Sequence, residues 1–249
     1  MKLLDNKKWQ FNFQLSPQAI HQTILVFIIS LVLVIFLKPK PNTFHLVDGL
    51  IFLQFFYILY LKRLKIQLIY QNKLLVVDFI LILSAIFWVM LFSGLRRIDL
   101  GFSLLITPEM WFETILYSII LITIGIVTAV KIGFISFIGW KIELKKGLIL
   151  AVLIFFMALI EEIFFRGLVF KYLQQIIPDP ILIPFMLSIL IFGLAHFKNY
   201  GISMVTLATL AGIFYCLTYL RTGNIFCATL VHTVTNICWQ VFFKTNNRS

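Results

Sequence analysis

The sequence predicts an all-α fold, a polytopic membrane bundle of about eight transmembrane helices. Three observations predict it. The 249 residues are 61% hydrophobic and only 12% charged, with mean hydropathy +1.01; a soluble domain runs nearer half apolar and a quarter charged. The apolar stretches are long and continuous instead of alternating every second residue, so helices fit and a barrel does not. Basic residues cluster between those stretches, as in Lys62-Arg63-Leu64-Lys65 and Lys141, Lys145 and Lys146, which is how cytoplasmic loops are built. That clustering assigns the net charge of +11 to loops and excludes nucleic acid as a partner.

Residues 1–19 are polar and amphipathic and are expected to be cytoplasmic. No cleavable signal is expected, because the first apolar run is long and lacks a small-residue cleavage site. The first span is expected over 20–37, ending at Lys38-Pro39-Lys40-Pro41, the second over 46–61 and the third over 74–94, stopping at Arg96-Arg97. The fourth is expected over 114–137. The fifth starts near Lys146 and ends near Lys171. The sixth, seventh and eighth are expected over 181–197, 202–220 and 224–243. This divides the chain into N-terminal helices over 20–145, core helices over 146–243 and a short tail over 244–249. Placing the N-terminus inside puts two thirds of the 21 basic residues on the cytoplasmic side. By the positive-inside rule both termini are then cytoplasmic, in a multi-pass protein of the cell membrane. Cys216, Cys227 and Cys238 form no Cys-x-x-Cys pair and read as packing residues.

Charge appears where apolar sequence should exclude it. Glu161, Glu162 and Arg166 interrupt the run AVLIFFMALI-EEIFFRG. Each such group costs about 2.5–3.5 kcal/mol on insertion scales, and intramembrane ionisable residues mark functional paths. Glu162 and Arg166 are four residues apart, about 40° around a helix, and can pair. Glu161 lies about 140° from Arg166 and projects elsewhere. One carboxylate is thereby neutralised while its neighbour stays free for general-base work. Two further pairs follow at one-turn spacing: Phe192 with His196, and the two polar residues His232 with Asn236. A carboxylate with one or two imidazoles can hold and deprotonate a water. Imidazole and amide N–H groups can stabilise an oxyanion. Each pair is weak alone: a Glu-Arg pair is often structural, and Phe192 alone reads as packing. Their combination carries the argument. Other intramembrane hydrolases lack their signatures here: there is no His-Glu-x-x-His helix, no Gly-x-Ser-x-Gly elbow and no Gly-x-Gly-Asp segment. His21 and His45 take no role, and Asp78 in the third span is an unexplained acid.

Glu161-Glu162-x-x-x-Arg166, Phe192-x-x-x-His196 and His232-x-x-x-Asn236 resemble the three motifs of the CAAX protease and bacteriocin-processing (CPBP, or Abi) family, which includes the CAAX prenyl endopeptidase. The stretch Ala211 to Asn224 is similar to that family's lead-in to the last motif. The resemblance covers about residues 146–240. It implies an intramembrane endopeptidase, in which Glu161 activates a water with help from His196. It implies that His232 and Asn236 stabilise the oxyanion, and that Glu162, Arg166 and Phe192 support the site. The family has also been described as metal-dependent. The cofactor expectation is therefore none, with zinc as the alternative, its candidate ligands being Glu161, His196 and His232. The expected partners are the lipid bilayer and a peptide or membrane-protein substrate, an unprenylated one being favoured. A non-catalytic scaffold or bacteriocin-immunity protein is the alternative. A transporter is a third reading, and it would favour inverted repeats, of which the sequence shows none.

Overall fold

The computed structural model describes residues 100–140 and 144–246, the strand residues 10–15, 64–70 and 73–77, and the single positions 28 and 32. The chain divides into two compact units, Met1–Ile98 and Asp99–Ser249.

In the first unit, β1 (Gln10–Leu15), β2 (Leu64–Tyr70) and β3 (Lys73–Val77) form an antiparallel sheet in that order. Its register sets apolar positions opposite one another: Phe11 with Leu68, Phe13 with Ile66, Leu15 with Leu64, and between them Asn12 with Gln67. The described residues are mostly helical, as the all-α expectation has it, and these short strands are an addition to it. QFNFQL and LKIQLIY alternate at a period of two, which a strand satisfies and a helix does not. The expected third span begins inside β3. The rest of it, including Asp78, lies outside the described residues, as do the second span, His21 and His45. Of the first span only Ile28 and Val32 are described, both helical and exposed.

The second unit is mostly helical. Helix α1 is Pro108–Lys131. It starts six residues before the expected fourth span because Thr107 caps it: its side chain accepts from the Met110 N–H, with Pro108 and Glu109 in the first turn. It ends at Ile132, before Gly133 at φ +68°. The residues expected to finish that span form β4 (Ile135–Phe137) instead. Helix α2 (Leu144–Glu162) carries both glutamates at its end. It continues as a wider π-helical segment, Ile163–Phe170, wholly buried, and then as α3 (Lys171–Ile176). The expected fifth span is this continuous rod. Helices α4 (Leu182–Ala195), α5 (Phe197–Thr222) and α6 (Ile225–Phe242) correspond to the sixth, seventh and eighth spans. Strand β5 (Phe243–Thr245) pairs with β4, antiparallel.

Four helices among the described residues are long and apolar enough to cross a membrane: Pro108–Lys131, Gly147–Ile176, Gly201–Thr222 and Ile225–Phe242. The 14 residues of α4 rise only about 21 Å, short of an apolar thickness of about 30 Å. Hydroxyls inside these helices bond back to their own backbone: Thr229 to the Ile225 carbonyl, Thr233 to Thr229, and Thr222 to Thr218. That removes an unmet donor from apolar surroundings.

Two contacts hold the ends of the bundle. At one end the backbone of Leu100–Ser103 straps the α5–α6 turn. The Leu100 carbonyl accepts from the Tyr219 hydroxyl, the Gly101 carbonyl from the Ile225 N–H and the Ser103 carbonyl from Asn224 Nδ2. In the turn, Gly223 takes the left-handed conformation that ends α5, and Asn224 caps α6 through the Phe226 N–H. At the other end Ala129, Phe134, Ile135, Leu207 and Phe243 make a buried cluster beside the β4–β5 pair.

Candidate functional site

The site is built where the α2 rod, α4, α5 and α6 converge. Glu162 and Arg166 are both fully buried. Arg166 Nη1 donates to Glu162 Oε1 at 2.9 Å, and Nη2 donates to the Gly212 carbonyl on α5 at 3.1 Å. The guanidinium also lies over two rings, 4.5 Å from the Phe192 centroid and 5.3 Å from that of Tyr215. A buried cation needs such a set of partners. Gly212 makes room for them, because a Cβ there would meet Phe192 Cδ1 at 3.0 Å and Arg166 Nη2 at 3.5 Å.

Glu162 does a second thing that the spacing on its own helix could not reveal. Its Oε1 also faces Nδ1 of His232 at 2.8 Å, 70 residues along the chain. The carboxylate accepts from Nδ1–H, which turns Nε2 the other way. There Nε2 lies 3.8 Å from Glu161 Oε2. His232 therefore stands between the two adjacent carboxylates. Glu161 is less enclosed, its side chain 27% exposed, and its Oε2 has no hydrogen-bond partner among the described residues. Glu162 Oε2 and Arg166 Nε are likewise buried without one.

His196 sits at the end of α4. Its Nδ1–H donates to the Phe192 carbonyl at 2.9 Å, one turn back, leaving Nε2 as the acceptor in the neutral ring. The Phe192 side chain is 2% exposed and touches both imidazoles, at 4.7 Å from His196 and 6.0 Å from His232 between centroids. It stands edge-on to Phe165 as well. No hydrogen bond joins His196 to Glu161 among the described residues. Asn236 is one turn beyond His232 on α6 and half-buried. Its side chain makes no hydrogen bond among the described residues.

Local features place these groups. The close approach of α4 to α5 depends on Gly193, where a Cβ would run into the Thr209 hydroxyl. Gly167 serves the π-helical segment in the same way, a Cβ there meeting Ile225 Cδ1 at 3.0 Å. Ser188 on α4 donates to the Phe165 carbonyl in that segment at 3.3 Å. Cys216 and Cys227 are buried, Cys238 partly so, and all three are free.

Of the residues singled out from sequence, Glu161, Glu162, Arg166, Phe192 and His232 lie in one cluster. His196 joins it through Phe192, and Asn236 borders it along α6. Among the described residues no group of three His, Cys, Asp or Glu side chains is placed to hold a metal ion; Nδ1 of each imidazole is hydrogen-bonded and Nε2 is left open. Sequence reasoning missed Tyr215, whose ring lies against His232. It also missed the Gly212 carbonyl. Both fall in the Ala211 to Asn224 stretch, but an apolar helix with several aromatics gives no spacing signal for either.

Comparison with curated proteins and with solved structures gave no match. A family model did match, over residues 143–238, less than half of the chain. That segment runs from the start of the glutamate-bearing helix to just beyond Asn236. It is similar to the Rce1-like family, described as type II CAAX prenyl endopeptidase Rce1-like, the protease family to which the three motifs point.

Proposed function

We propose that this integral membrane protein is an endopeptidase that hydrolyses a peptide bond within or at the bilayer, using a water activated by Glu161. The observation that carries the reading is the placement of His232 between Glu162, at 2.8 Å, and Glu161, at 3.8 Å, in a segment matched by a protease family model.

The chemistry follows from the orientation of each group. Glu161 takes a proton from water, and the oxygen attacks the scissile carbonyl carbon. His196, its Nδ1–H committed to the Phe192 carbonyl, offers Nε2 to the water's second proton. The carbonyl π pair moves onto oxygen. His232, through Nε2, and the Asn236 amide stabilise that oxyanion. When the intermediate collapses, the C–N bond breaks and the amine leaves with the proton held by Glu161. The products are a carboxylic acid and an amine. Glu162 and Arg166 do not touch the reacting atoms in this scheme; they hold the His232 ring.

We propose that this route needs no metal. The favoured substrate is an unprenylated peptide or membrane protein, and both termini of the enzyme are cytoplasmic. The test is cleavage of membrane-anchored peptides by purified protein in ¹⁸O-labelled water, with and without a strong chelator. The reading expects one labelled oxygen in the new carboxylate and turnover that survives the chelator. Turnover lost to the chelator and restored by zinc would replace this mechanism with a metal-assisted one.

A further inference from the structure

One buried side chain of the cluster has no part in that scheme. Tyr215, on α5, is 2% exposed, and its ring lies flat on the His232 imidazole, centroids 4.3 Å apart and planes 15° apart. The neighbouring ring contacts are steeply inclined: Phe192 meets His196 at 57°, Tyr215 at 80° and His232 at 87°. The Tyr215 ring also faces the Arg166 guanidinium, 5.3 Å away.

A histidine ring has two side-chain torsions, and the second is soft. The hydrogen bond from Nδ1 to Glu162 fixes one edge of the His232 ring. It leaves the ring free to swing about that contact. A flat aromatic surface against the imidazole removes the remaining freedom and sets where Nε2 points. Oxyanion donors work only when held within about 0.5 Å of the productive position.

We propose that Tyr215 is a positioning residue for His232, acting through the face of its ring and not through its hydroxyl. The catalytic part of this proposal rests on the endopeptidase reading above; the placement of the ring does not. The test uses the full-length protein in detergent, with Tyr215→Phe and Tyr215→Leu beside wild type. Two quantities are read: the carbon-bound proton shifts of the His232 ring by NMR, assigned with His232→Gln, and kcat and KM for a membrane-anchored peptide. A proton over an aromatic face is shifted upfield by the ring current. The His232 signals are expected upfield in wild type and in Tyr215→Phe, which retains most of the turnover. In Tyr215→Leu the upfield shift is lost and kcat falls roughly ten- to a hundredfold, with KM little changed. Unshifted His232 signals in wild type overturn the proposal without any variant having to fold. A folded Tyr215→Leu that keeps its kcat, or that changes only KM, overturns it too. Wild-type protein that shows the upfield shift but cleaves nothing sinks the endopeptidase reading and leaves the ring placement standing.

Discussion

Arg166 is the residue on which the buried charges depend. Fully buried itself, it donates to Glu162 Oε1 and to the Gly212 carbonyl. Arg166→Ala leaves Glu162 buried with no cationic partner. The expected cost is about 3–5 kcal/mol, measured as a lowered thermal or denaturant midpoint in detergent. Glu162→Gln tests a different link. The neutral amide can still accept from His232 and Arg166, but without charge. Its turnover is expected to fall while the fold survives, checked by kcat beside a melting curve. The pairing of Glu162 with Arg166 was legible in the sequence because both lie on one helix at one-turn spacing. The bond from Glu162 to His232 was not, because it joins positions 70 residues apart, and no local periodicity encodes such a contact.

The helices of the second unit were legible wherever the apolar run was bounded by breakers. The α5–α6 boundary follows from Thr222-Gly223-Asn224, a left-handed glycine followed by a side-chain cap. The start of α1 was misplaced because Thr107-Pro108-Glu109 is a start signal that a hydropathy reading passes over. The strands β1 to β3 were missed for a related reason: their alternation is short and sits beside long apolar runs that dominate a window average. Packing between α4 and α5 gives a prediction at this scale. Gly193→Ala forces a Cβ into the Thr209 hydroxyl, and overpacking of this kind costs about 1–3 kcal/mol. The midpoint is expected to drop for Gly193→Ala. It should partly recover in Gly193→Ala with Thr209→Ala, because the second change removes the obstructing oxygen. A double variant no better than the single one would mean that another contact, such as the Val205 carbonyl, limits the approach.

At the scale of the whole second unit, the described contacts fall at two ends. The Leu100–Ser103 strap and the α5–α6 turn share one end, while β4 and β5 share the other. If the C-terminus is inside, as the basic residues predict, Ser103 is expected outside and Ser249 inside. In a background with Cys216, Cys227 and Cys238 replaced by alanine, Ser103→Cys is expected to react with an impermeant thiol reagent added outside intact cells. Ser249→Cys is expected to react only after the cells are opened. The reverse pattern would invert the proposed topology. This two-ended arrangement sets a buried charged cluster inside an apolar bundle, and the central claim is that Glu161 there activates water. Cleavage of quenched membrane-anchored peptides by wild type and by folded Glu161→Gln tests it most directly. Wild type is expected to cleave, and Glu161→Gln to show no cleavage above background. Equal cleavage by the two proteins would contradict it.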